Sequence, residues 1–150
     1  MRKPTLHQVN LICSDLDASA AFYRRLGVEI PEPAIWRTPT GAHHASAADP
    51  QAGQAFDFDL DSVAFARIWN SGWKDRTDLK GRVVVGFRLP TRADVDAVFR
   101  DMVGAGYRGL QEPWDAFWGA RYAIIEDPDG IAVGLMSPVS PDRKSPPPDV

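Results

Sequence analysis

Apolar positions along the chain switch between two periods, and the switch recurs. Residues 7–13 alternate, with Val9, Leu11 and Cys13 on one face and Gln8, Asn10 and Ile12 on the other, as in a strand buried on one side. Asp15 or Asp17 then caps a helix whose inward stripe is Ser19, Phe22, Tyr23 and Leu26, spaced i, i+3, i+4, i+7. Gly27 supplies its left-handed stop. Pro31 and Pro33 interrupt the pattern beyond the helix. Residues 34–38 and 42–48 are expected as strands, and Phe56-Asp57-Phe58-Asp59-Leu60 alternates strictly. Residues 62–80 carry no clean period, apart from a helical turn expected at 63–69.

The same order then starts again. In residues 82–89, Val83, Val85, Phe87 and Leu89 oppose Val84, Gly86 and Arg88. Thr91 stands three residues before Asp94, the spacing of a capping box. Val95, Val98, Phe99 and Met102 form the stripe of a second helix, which Gly104 and Gly106 end. Residues 107–110 come next, then a loop expected through Pro113 and Trp114. Residues 121–126 and 131–136 read as strands joined by Asp127-Pro128-Asp129-Gly130, a turn in which Gly130 is free to take positive φ. Strand, helix and three short strands thus occur twice. The expected fold is α+β, two tandem βαβββ modules (about 6–61 and 81–137, with a connection at 62–80) in one domain, 1–138. A sheet with one helix on one face needs something else to cover the other. The tail, 139–150, holds Pro141, Pro146, Pro147 and Pro148 and is expected to be disordered.

Composition narrows the classes. The chain has 150 residues, 44% hydrophobic and 25% charged, ordinary for a soluble domain. A net charge of −3 leaves no electrostatic footprint for nucleic acid. No apolar run is long enough to span a bilayer, and none comes after Arg2 and Lys3 as a signal peptide would require. Cys13 is the one cysteine, which excludes an intrachain disulfide and fits a reducing cytoplasm. Five tryptophans are many for this length, and indoles line ligand pockets and interfaces as well as cores.

The opening SDLDASAAFYRRLG and the closing RYAIIEDPDGIAVGLM, at this separation, resemble the vicinal oxygen chelate superfamily over residues 6–137. That group includes glyoxalase I, extradiol dioxygenases, fosfomycin-resistance enzymes and bleomycin-resistance proteins. The resemblance implies paired βαβββ modules forming curved mixed sheets around a cavity, and a homodimer. In metal-using members, four cavity-facing positions on the first and last strands of each module hold a divalent ion, usually through His, Gln or Glu. Here those positions fall on Gln8, Val84, Gly134 and either Asp57 or Asp59. Val84 and Gly134 have no donor, and a metal site needs three or more oxygen or nitrogen ligands. No metal and no other cofactor is therefore expected.

The histidines do not rescue a metal set. His7 has the opposite strand parity to Gln8, and His43 and His44 are neighbours, so at most one of them faces inward. They are expected at the surface or rim. Cys13, on the apolar face, reads as a small hydrophobe. Asp57 and Asp59 share one strand face, with Phe56, Phe58 and Leu60 opposite them and expected under the helix, and Gln8, Asn10 and Arg88 share cavity-facing parity. Trp114, Phe117 and Trp118 cluster before the final hairpin, and Trp69 and Trp73 lie in the long connection. The expected ligand-binding set is Gln8, Asn10, Asp57, Asp59, Arg88, Trp114, Trp118 and Gly134, with no catalytic residue assigned. It fits a metal-free binder of a flat, aromatic or cationic small molecule. A lyase, isomerase or dioxygenase with an atypical site is the alternative, and an accessory domain without ligand the third class.

Overall fold

Each module forms where local pattern and capping agree. The structure, a computed structural model, describes residues 8–48, 56–69 and 83–146. It divides into two units, Met1–Arg76 and Thr77–Val150. In the first, strand β1 (Gln8–Cys13) leads to helix α1 (Leu16–Arg25), then β2 (Ile35–Thr38), β3 (Gly41–Ser46) and β4 (Asp57–Ser62). The Asp15 carboxylate accepts from the Ala18 amide at 3.0 Å, satisfying one of the helix's orphan N–H groups. The sheet order is β1-β4-β3-β2, with β1 and β4 parallel and the other pairs antiparallel.

The core of this unit lies between α1 and one sheet face. Phe22 and Tyr23 are fully buried over Cys13, Ala45 and Leu60. Tyr23 meets Phe58 edge-on at 4.9 Å. Truncating Phe22 to alanine here would cost about 3–5 kcal/mol. Phe56, expected under the helix with Phe58 and Leu60, lies just before β4 and is 47% exposed. A short helix, α2 (Val63–Trp69), comes directly after β4 and packs on β1, β3 and β4. The rest of the expected connection, with Trp73, lies outside the described residues.

The second unit repeats the order: β5 (Val84–Arg88), α3 (Arg92–Gly104), β6 (Gly109–Asp115), β7 (Arg121–Glu126) and β8 (Ala132–Met136). Its sheet order, β5-β8-β7-β6, matches that of the first unit position by position. The capping box at α3 is complete, with the Thr91 hydroxyl accepting from the Asp94 amide and Asp94 accepting from the Thr91 amide. Val95 and Met102 of α3 are fully buried over Ala123, Ile125, Val133 and Leu135. The final hairpin turns as expected. Asp127 accepts from the amides of Asp129 and Ile131, and Gly130 takes φ +84°.

Two expectations are corrected. Pro113 and Trp114 lie in strand β6 rather than a loop; among the described strands β6 is an edge paired with β7 alone, where a proline need not donate, and register shifts at Gly109/Gln111 and Gln111/Trp114 absorb the irregularity. The tail, expected to be disordered, is docked through residue 146. The Ser140 and Ser145 amides donate to the carbonyls of Gly119 and Phe117 at 3.0 and 2.9 Å, and Lys144 pairs with Trp118 in an isolated antiparallel bridge. Pro141 opens a 3-10 turn, Pro141–Arg143, at a position where no helix amide is needed, and the amides around the prolines find carbonyl acceptors.

Candidate functional site

The pleat puts α1 or α3 on one face of each sheet and leaves alternate residues on the other, the open face, which in the first unit is partly covered by α2 through Phe65. On the first unit's open face stand Asn10 of β1, Asp57, Asp59 and Asp61 of β4, and His44 and Ser46 of β3. Register places Asn10 opposite Asp59, and Ser46 and His44 opposite Asp59 and Asp61. Asp57 is exposed, whereas Asp59 is 6% and Asp61 2% accessible. Asp61 accepts twice: from His44 Nδ1 at 2.6 Å on one oxygen and from Asn10 Nδ2 at 2.9 Å on the other. His44 Nε2 lies 3.0 Å from Ser46 Oγ. Phe65 of α2 stands edge-on to the His44 ring, 5.9 Å between centroids. Asn10 Oδ1 is buried without a partner among the described residues, an acceptor left for a donor to meet.

The histidines differ from one another. His44, 32% exposed, is a partly buried position held by the buried Asp61. His43, the residue skipped by the register shift between Trp36 and Arg37, bonds Ser62 and the hydroxyls of Thr38 and Thr40, and its ring lies 5.2 Å from that of Trp36. Asp61 is absent from the expected set because the alternating stretch is bounded there at Leu60, although β4 runs two residues further, to its end at Ser62.

On the second unit's open face a concavity of about 430 Å³ is lined by Val84, Gly86, Arg88, Tyr122, Gly134 and Met136. Arg88 is exposed there. Trp118 packs edge-on against Tyr122 at 5.4 Å and Trp114 against Trp118 at 5.6 Å, so three rings run in series from the concavity. Burial raises the Tyr122 phenol above its ordinary range, so it stays protonated and can donate at neutral pH. A second concavity, about 450 Å³, lies on the helix side of this sheet between Asp96 of α3 and Glu112 of β6. Arg121, on its lining, is already paired with Asp96 and Asp115, which leaves it little to offer a ligand.

Of the expected site residues, the first unit thus gathers Asn10, Asp57 and Asp59 on one face; Gln8 lies on β1, and its side chain is outside the described residues. The second unit gathers Arg88, Trp114, Trp118 and Gly134, with Tyr122 and Met136 added. The paired registers also order the inherited ligand positions. Gln8 pairs with Asp57 as Val84 pairs with Ala132, and Asn10 with Asp59 as Gly86 with Gly134, so Asp59 is the counterpart of Gly134. A metal does not fit these residues. A Cβ at Gly134 would lie 2.7 Å from the Tyr122 hydroxyl, so the tyrosine fills the space a longer side chain would need. Val84 carries no donor, and no three His, Cys, Asp or Glu side chains group to hold an ion among the described residues.

Two four-stranded mixed sheets, each built as βαβββ, define a paired-module α+β protein. The chain belongs to the Glyoxalase/Bleomycin resistance protein/Dioxygenase superfamily, whose family model matches residues 5–135. Solved structures similar to it include a hypothetical protein from S. aureus (22% identity, TM-score 0.68, covering 92% of this chain and 96% of that one). Another is a glyoxalase/bleomycin resistance protein/dioxygenase from Nocardioides (21%, TM-score 0.69, 100% and 91%). A third is a lactoylglutathione lyase from Agrobacterium tumefaciens (17%, TM-score 0.59, 91% and 96%). At these identities the likeness is one of fold. No curated protein matches the chain. No described helix is long and apolar enough to cross a membrane.

Proposed function

We propose that the protein is a metal-free small-molecule binder whose ligand is planar and aromatic, held on the open face of the second unit. The observation that carries this reading is the concavity beside Tyr122, with Trp118 and Trp114 continuing its aromatic wall. A few polar groups among apolar walls is the usual make-up of such a site. Arg88 sits on its lining and Tyr122 offers a hydroxyl, which favours an acidic group on the ligand. The cationic ligand expected from Asp57 and Asp59 is less well supported, since Asp59 is buried. Sequestration of an antibiotic or aromatic metabolite is the corresponding role, and a homodimer the corresponding assembly.

The test is a thermal-shift and tryptophan-fluorescence screen against planar aromatic acids, amines and antibiotics. A tight ligand must raise the melting temperature by mass action, and one seated here must quench Trp118. Arg88→Ala should weaken an acidic ligand by about 1–3 kcal/mol. A panel without a single shift, or a ligand indifferent to Arg88→Ala and Tyr122→Ala, refutes the reading. An enzyme is the second reading, favoured by the bonded pair His44–Asp61; turnover assays for glyoxalase and ring-cleavage activity, with and without added metals, discriminate it from the first.

A further inference from the structure

The first unit holds an arrangement that the binding reading does not use. Asp61 is buried, and both its oxygens are occupied, one by Asn10 Nδ2 and one by His44 Nδ1. A carboxylate can only accept, so the neutral imidazole carries its proton on Nδ1. Nε2 is then a lone-pair acceptor, and the group within its reach is Ser46 Oγ at 3.0 Å, whose proton it receives. The order hydroxyl, Nε2, Nδ1, buried carboxylate is that of an activated serine, recognised by geometry and roles rather than by fold. The two reacting residues stand two apart on β3, and Asp61 is paired opposite His44 on β4, so backbone ladders fix the spacing. The His44 ring is about one-third exposed and Ser46 half-buried, so a small molecule can reach both.

We propose that Ser46 is a nucleophile activated by His44 and oriented by Asp61, and that it accepts acyl groups from small aryl or alkyl esters. Acyl donors are favoured over phosphoryl donors because Asp57, Asp59 and Asp61 crowd the same face and repel a phosphate. Phe65 beside His44, and Trp36 against Phe65 at 5.2 Å, supply an apolar wall for the ester's organic group. In the step, Ser46 Oγ bonds to the carbonyl carbon and its proton passes to His44 Nε2. The carbon–oxygen bond to the leaving group breaks, and the leaving alkoxide takes that proton from Nε2. Water, deprotonated by His44 in turn, releases the acid and restores the serine. The site belongs to the first unit alone, so it stands or falls independently of the pocket at Arg88.

The experiment uses the full chain with p-nitrophenyl acetate, monitoring nitrophenolate release and mapping the acetyl group by peptide mass spectrometry. The expected result is one acetyl group on Ser46, absent in Ser46→Ala. Asp61→Asn should slow acetylation by about a hundredfold or more, because the new amide donates to Nδ1 and moves the ring proton to Nε2. Should Asp61→Asn fail to fold, His44→Gln, at a partly exposed position, makes the same test by removing the base. Acetylation confined to lysines, the N-terminus or His44 would overturn the proposal. So would a release rate unchanged in Ser46→Ala, or one unchanged in a folded Asp61→Asn.

Discussion

Gly134 and Gly86 face each other across the parallel β5–β8 ladder, yet an added methyl group should act on them in opposite directions. A Cβ at Gly86 meets nothing within 4 Å. At Gly134 it meets Tyr122 Oη at 2.7 Å, Cε2 at 3.1 Å and Cζ at 3.2 Å. Neither glycine uses positive φ, so alanine strains neither backbone. Removing a glycine stabilises by about 0.4–1 kcal/mol through the unfolded chain, and Gly86→Ala should realise that gain. Gly134→Ala carries the same gain against an overpacking cost of about 1–3 kcal/mol. The Tyr122 ring cannot simply swing away, because Trp118 abuts it at 5.4 Å. The net is a loss of about 1–2 kcal/mol, or about 2–8 °C in melting temperature for a chain of this size. Tyr122→Phe in the Gly134→Ala background removes the closest atom and should recover about half the loss, a positive coupling readable in a double-mutant cycle. Urea unfolding monitored by far-ultraviolet circular dichroism measures the parent, Gly86→Ala, Gly134→Ala, Tyr122→Phe and the double variant. A Gly134→Ala protein as stable as Gly86→Ala would show that Tyr122 does not occupy this position, and the case against a metal ligand there would lose its steric half.

Single contacts elsewhere carry their own expected outcomes. Gly134→Glu should abolish ligand binding in fluorescence titrations by displacing Tyr122, and metal analysis of the purified variant should still find no stoichiometric ion, since Val84 supplies no donor. Thr91→Ala removes the capping box of α3 and should cost about 1 kcal/mol in unfolding free energy by urea titration. Hydrogen bonds from Arg37 hold the carboxyls of Asp17 and Glu32 below their ordinary range, so their stabilisation is present at neutral pH and lost as pH falls through those titrations. Arg37→Ala should therefore be less stable than the parent at neutral pH, and the two should converge below about pH 4 in melting experiments. Deleting residues 139–150 breaks the Ser140–Gly119 and Ser145–Phe117 hydrogen bonds and should lower the melting temperature and redden Trp118 emission.

The repeat was legible in the chain because everything that defines it is local. The caps at Asp15 and Thr91, the stripes of α1 and α3, and the turn at Gly130 each depend on residues within a few positions of one another, and each forms as the spacing predicts. Strand alternation likewise assigned faces, so Asn10 and Arg88 stand on the open faces of their own sheets. Local pattern could not say that Pro113 lies in a strand, because its tolerance comes from β6 standing at the sheet's edge among the described strands. Nor could it show that the tail finds carbonyls on the turn before β7. The same limit hid the chemistry. Asp61 meets His44 from 17 residues away and Asn10 from 51, and only the pairing of β4 between β1 and β3 brings them to one spot. Alternation along the chain put Asp57 and Asp59 on one face, but that Asp61 joins them, and which of the three is buried and bonded, is decided by strand register, a long-range property that no window of sequence contains.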